Sequence, residues 1–96
     1  MKIDNIVFKT TPPLPYLLPL AQHHPLAVET YILLWQKKDK KNKVFIQKMD
    51  LKSEFLMPKQ RFTNSLRDIV KEGLANVEET KSQYIVELVD WQEEMN

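Results

Sequence analysis

Cysteine is absent from this chain, glycine occurs once, and no apolar run approaches the length of a membrane span. The absence of cysteine excludes disulfide staples and thiolate metal sites, and it fits a reducing compartment. The lone glycine, Gly73, excludes a glycine-rich phosphate loop. The most apolar stretch, "LPYLLPLA", falls well short of the about 20 residues a spanning helix needs, and Pro15 and Pro19 interrupt it. The first residues, "MKIDNIVFK", place Asp4 and Lys9 where a signal peptide would be apolar. A cytoplasmic location, in a bacterial cytoplasm or nucleoid, and no membrane contact are therefore expected. Ser53, Ser65 and Ser82 sit in no catalytic motif. His23 and His24 are adjacent, a spacing that sends side chains in different directions, so no metal site is expected. The expectation is a protein that is not an enzyme and holds no cofactor.

What is present is a marked charge asymmetry. The 96 residues sum to +1, but residues 37–67 hold ten Lys or Arg against three acids, and residues 68–96 hold two against eight. A chain divided in this way can present a basic face despite its near-neutral total.

The length suits one domain. Residues 1–9 alternate weakly through Ile3, Ile6 and Phe8, as a short strand or ordered arm would. Five prolines between Pro12 and Pro25 predict an extended N-terminal arm over residues 1–24. Its leucines and Tyr16 predict that it packs on the domain. Pro25 suits the first turn of a helix, and "PLAVETYILLWQKK" predicts one over 25–38. Val28, Tyr31, Ile32 and Trp35 form one apolar stripe of it, with Leu26 and Leu33 on the opposite side. A helix apolar all round needs two covers, which the arm or a second copy of the chain would supply.

"VFIQ" (44–47) predicts a short strand, and "MDLKSEFLM" (49–57) a short helix capped by Asp50. Pro58 then opens a helix that runs to Glu72, with Gly73 where a left-handed residue is wanted. "LANVE" (74–78) and "YIVELV" (84–89) predict a two-stranded hairpin, with Tyr84, Val86 and Leu88 on one face. Residues 91–96 form a short acidic tail, in which Trp91 is a candidate anchor.

The helix over 58–72 carries the functional signal. At about 100° per residue, Phe62, Leu66, Ile69 and Val70 share one face and predict its buried side. Gln60, Asn64, Arg67 and Lys71 fall at the opposite pole, with Thr63 and Arg61 on the two flanks and Asp68 as the main acidic intruder. Arginine can place two donors on guanine, and asparagine or glutamine can match adenine. Gln60, Thr63, Asn64 and Arg67 are the candidate base contacts. Lys52, Lys59, Arg61 and Lys71, with Lys41 and Lys43 from the basic connection 37–43, are the candidate phosphate contacts.

The stretch "DLKSEFLMPKQRFTNSLRDIVKEGLANVEE…YIVELV" resembles the winged helix-turn-helix family. Phe55, Met57, Phe62, Leu66 and Ile69 stand at that pattern's apolar positions, and Gly73-Leu74 at its helix-to-wing junction. The resemblance covers residues 25–90. It implies an α+β fold of three helices with a small antiparallel sheet, here preceded by the proline-rich arm. It also implies a small transcriptional regulator that binds double-stranded DNA. The all-round apolar character of 25–38 predicts a homodimer, with that helix and the arm as its interface. The family also includes protein-interaction modules and DNA-binding accessory proteins of plasmid or phage replication. Three departures stand out. Leu56 occupies a turn that usually has glycine. Met57 and Pro58 stand where a Ser or Thr cap is usual. The wing carries Glu78 and Glu79, opposed by Lys81, where DNA-binding members often place cations.

Overall fold

The computed structural model describes residues 11–90; the strand expected around Ile3, Ile6 and Phe8 and the anchor expected at Trp91 lie outside them. Among the described residues the fold is α+β, with four α-helices and one three-stranded antiparallel sheet. The helices are α1 (Leu14–His23), α2 (Val28–Lys37), α3 (Leu51–Phe55) and α4 (Lys59–Lys71). The strands are β1 (Lys43–Gln47), β2 (Ala75–Glu79) and β3 (Gln83–Leu88), in the order β1-β3-β2. Short 3-10 turns, Pro25–Ala27 and Lys48–Asp50, lead into α2 and α3.

The first departure from the sequence reading is α1. The proline-rich segment is helical, not extended. Pro13 sits at the N-cap with φ −60° and ψ 143°, and Pro15 falls in the first turn, where its missing N–H costs nothing. Pro19 lies inside the helix, at a cost of about 3 kcal/mol or more. What offsets it is burial of Tyr16 and Leu20, one turn apart and 4% and 0% exposed. Each large apolar side chain so buried contributes about 1.5–3 kcal/mol. Leu14 and Leu18 face outward.

This helix answers the question of what covers α2. Packing on α1 and α4 buries Thr30, Tyr31, Leu34 and Trp35, and leaves Val28, Ile32 and Leu33 half-buried. The expected stripe is thus rotated, and Leu26 precedes the α-helix, itself exposed on a 3-10 turn whose Ala27 is buried.

Asp50 stands at the N-cap of α3 without a side-chain capping bond; Ser53 Oγ donates instead to the Asp50 carbonyl at 3.0 Å. α3 ends on Leu56, whose φ of 56° puts a leucine in the left-handed region that the turn requires. Pro58 is the N-cap of α4 and cannot continue a helix backwards. At the other end Gly73 takes φ 74°. Its N–H donates to Val70 O at 2.9 Å, and Leu74 N–H donates to Ile69 O at 3.1 Å. These are the two bonds of a Schellman motif, and the buried Ile69 and Leu74 supply its apolar contact.

The chain then turns directly into β2. Val44 pairs with Val86 and Val86 with Val77, and Ile46 pairs with Tyr84 and Tyr84 with Glu79, so alternate residues face the helices. Tyr84, Val86 and Leu88 are buried on that face, as expected. Phe62 of α4 joins the layers, with its ring 4.8 Å from Phe55 and 5.8 Å from Tyr84.

Candidate nucleic-acid interface

α4 packs on the core through Phe62, Ser65, Leu66 and Ile69. The sequence reading placed Val70 in this stripe; it is 41% exposed, and Ser65 takes its place at 3%. Ser65 lies on the side where α2 and the Pro25–Ala27 turn press against α4, and a small side chain admits that approach. Val70 is rotated toward the β2–β3 hairpin instead.

The opposite face of α4 is open. Lys59, Gln60, Arg61, Asn64, Arg67 and Lys71 are all exposed, and Thr63 is half-buried. The four candidate base contacts therefore lie on one accessible surface. Gln60 Nε2 donates to Asn64 Oδ1 at 3.4 Å, a turn-to-turn bond that aligns the two amides. Thr63 Oγ1 donates to the Gln60 carbonyl at 3.1 Å. Among the described residues no carboxylate lies within 4.0 Å of Lys59, Arg67 or Lys71. Arg61 differs: its guanidinium reaches Glu29 of α2 at 3.5 Å, both groups well exposed.

Two grooves flank this face. One, of about 380 Å³, runs between α4 and the hairpin and is lined by Thr63, Arg67, Val70, Lys71, Val77 and Glu79. The other, of about 600 Å³, runs between α4 and the Pro25–Ala27 turn, with Leu26, Arg61, Asn64 and Asp68 on its walls. Leu26 is 74% exposed there, an apolar rim beside the amides that periodicity alone did not single out.

Not every candidate joins this surface. Lys52 is exposed on α3, the helix that precedes the turn into α4. Lys43 points to the outer side of the sheet, in a shallow cleft with Asn76, Glu78, Ile85 and Glu87. Lys41 lines a separate cleft with Asn42, Glu87 and Asp90. The structure does not group Lys41 and Lys43 with α4. Their loop is fixed by Asp39, whose Oδ1 accepts the N–H of Lys41 at 2.8 Å and of Lys43 at 3.0 Å. Those bonds, the one from Lys43 first, hold its carboxyl below the usual aspartate range. Lys37 and Lys38 are not simply solvated: their ammonium groups lie over the rings of Phe55 at 5.5 Å and Trp35 at 4.9 Å.

The acidic hairpin is also less acidic than its sequence. Lys48, just past β1, places Nζ 2.6 Å from Glu79 Oε2. That hydrogen bond holds the Glu79 carboxyl below the usual glutamate range. The missed signal was sheet register: β1 ends against the hairpin tip, with Gln47 opposite Gln83 and Lys48 N–H donating to Ser82 O at 2.9 Å.

The histidines form a second feature not anticipated. His24 leaves helical geometry, with φ −140° and ψ 66°, so its ring turns to the same side as that of His23. Both meet the acids of α4, Asp68 and Glu72. Among the described residues no group of His, Cys, Asp or Glu has the arrangement of a metal site, and no helix is long and apolar enough to cross a membrane. No family model matches this chain, and neither a curated protein nor a solved structure does.

Proposed function

We propose that this chain is a small DNA-binding transcriptional regulator of the winged-helix type, with α4 as the helix that reads the major groove. The observation that carries this reading is the open polar face of α4, on which Arg67 stands without a carboxylate partner among the described residues. A solubilising helix face more often carries Glu–Lys pairs one turn apart; here that spacing joins Gln60 to Asn64. The order of elements from α2 onward, helix, strand, helix, helix, strand, strand, with β3 central in the sheet, supports the winged-helix assignment.

In this reading Gln60, Thr63, Asn64 and Arg67 meet base edges. Lys59, Arg61, Lys71 and, from α3, Lys52 hold phosphates, and the exposed N-terminal turn of α4 adds backbone N–H groups that favour anions. The role is one of binding, not catalysis, and it is exercised in the cytoplasm. Two half-sites read by a homodimer would multiply the contacts of so small a reader. One apolar surface that could serve for pairing is the outward side of α1, where Leu14 and Leu18 lie one turn apart and are 65% and 55% exposed.

A second reading, a winged-helix module that binds a basic protein partner, draws on the exposed Glu78 and Glu87 of the hairpin. A salt titration of duplex binding separates the two. A reader that neutralises about four phosphates loses affinity with a log–log slope of roughly −3 to −4. No binding to any duplex at low salt would overturn the DNA reading.

A further inference from the structure

On the side of α4 that borders the Leu26 groove, two carboxylates meet two imidazoles. Glu72 Oε2 lies 3.1 Å from His23 Nδ1 and 3.4 Å from His24 Nε2, and Asp68 Oδ1 lies 3.5 Å from His24 Nδ1. Asp68 also forms part of the groove wall, with Arg61 and Asn64. The side chains of His24, Asp68 and Glu72 are 25%, 30% and 19% exposed, so water screens them only in part, while that of His23 is 61% exposed and more fully screened.

We propose that this histidine pair is a proton-dependent counter-charge, one that makes the Asp68–Glu72 flank acceptable to a phosphate strand and strengthens DNA binding as pH falls. The inference rests on the DNA-binding reading above. A helix seated in the major groove has one phosphate strand along each side. The hairpin side offers Lys71, and its one acid, Glu79, is held by Lys48. The Leu26 side offers Arg61, which leans toward Glu29, and shares Arg67 with the hairpin side; its acid is Asp68, with Glu72 one turn further along α4. With neutral imidazoles that flank repels phosphate; with charged imidazoles both carboxylates are compensated.

Histidine is the side chain that changes charge between about pH 5 and 8. Among the described residues the four groups have no further ionic partner within 4.0 Å, whether from α2, from the Pro25–Ala27 turn or from their own helices. His23 closes α1, and Glu72 closes α4. Helix C-termini favour cations and disfavour acids, so one protonation relieves both ends. Because the complex favours the charged imidazoles, binding takes up protons and affinity rises as pH falls. A unit charge about 6 Å from a phosphate in water changes binding roughly threefold. Two such charges set about tenfold as the upper limit of the effect.

The test is duplex affinity at fixed ionic strength, at pH 6 and pH 8, for wild type, His23→Gln/His24→Gln and Asp68→Asn/Glu72→Gln. Circular dichroism checks that each is folded at both values, and His24→Gln and Asp68→Asn alone decide if a double variant is not. Wild type should bind several-fold tighter at pH 6, up to about tenfold. The histidine variant should lose that dependence and stay weak, and the acid variant should bind at pH 8 as wild type does at pH 6. Steeply salt-dependent wild-type binding with a pH profile matched by the histidine variant would overturn the proposal and leave the DNA reading standing. No duplex binding at either pH would overturn the DNA reading and this inference together.

Discussion

Phe55 and Phe62 meet edge to face across the turn between α3 and α4, with ring centroids 4.8 Å apart and planes at 64°. Both rings are buried, so the angle between the two helices is set by a packed contact and not by the turn alone. The turn has to follow, and Leu56 takes φ 56° with its side chain 85% exposed. A left-handed conformation costs an L-residue about 1–2 kcal/mol, against about 0.5–1 kcal/mol for the extra chain entropy of glycine. Leu56→Gly should therefore stabilise the protein by about 0.5 kcal/mol. Leu56→Val should destabilise it, because β-branching fits this region worst. Urea denaturation of the two variants checks both signs.

A second prediction concerns two polar atoms inside the core. Among the described residues the buried Tyr31 OH and Trp35 Nε1 have no well-formed hydrogen bond beyond a weak approach to each other, and the two rings stand edge to face at 6.3 Å. Burial drives the Tyr31 phenol well above the usual tyrosine range, so it stays neutral at any physiological pH. An unpartnered hydroxyl costs about 1–3 kcal/mol when buried. Tyr31→Phe should thus leave stability unchanged or raise it by up to about 1 kcal/mol, where a tyrosine with a partner would lose stability. Thermal melting decides it.

How much of this was legible in the sequence varied with how local the deciding force was. α4 and its end were legible, because apolar spacing and Gly73 act within a few residues. β1 and β3 were legible for the same reason. α1 was not: local rules for Pro15 and Pro19 say extended, and what outweighs them is burial of Tyr16 and Leu20 against residues far along the chain. Val70 and Ser65 exchanged places because the wheel knows only the axis of α4, not that α2 approaches from one side. The histidine pair failed for a backbone reason, since adjacent side chains diverge only while both residues keep the same geometry. The polar face of α4 was legible as a face; Lys41 and Lys43 were grouped with it by charge, and the sheet carries them elsewhere.

The Lys48–Glu79 contact ties β1 to the hairpin and gives a pH-dependent prediction. The Glu79 carboxyl is held below its usual range, chiefly by the Lys48 hydrogen bond. A carboxyl lowered on folding contributes stability that is complete above its unfolded value and is lost as pH falls through the folded one. Glu79→Gln should therefore be less stable than wild type at pH 7. The gap should close as pH drops below about 4. Because both groups are solvent-accessible, about 0.5 M salt should shrink the same gap at pH 7. Urea midpoints collected across pH and salt test both effects, and a gap that widened toward acid would contradict the sign.

Arg67 separates charge from shape in the proposed interface. Its side chain is exposed and unpaired among the described residues, so Arg67→Ala should leave the melting temperature nearly unchanged. On DNA the same change should cost about 1–3 kcal/mol and relax preference at one base position. Lys71→Ala should instead weaken binding evenly across sequences and reduce the salt slope by about one. The sharper variant is Arg67→Lys. It keeps the positive charge and loses the planar fork that matches guanine O6 and N7. If Arg67 reads a base, Arg67→Lys should retain the wild-type salt slope and lose the base preference, as judged by binding selection on randomised duplexes. If Arg67 only touches phosphate, Arg67→Lys should behave as wild type in both measurements, and the assignment of α4 as the reading helix would lose its central residue.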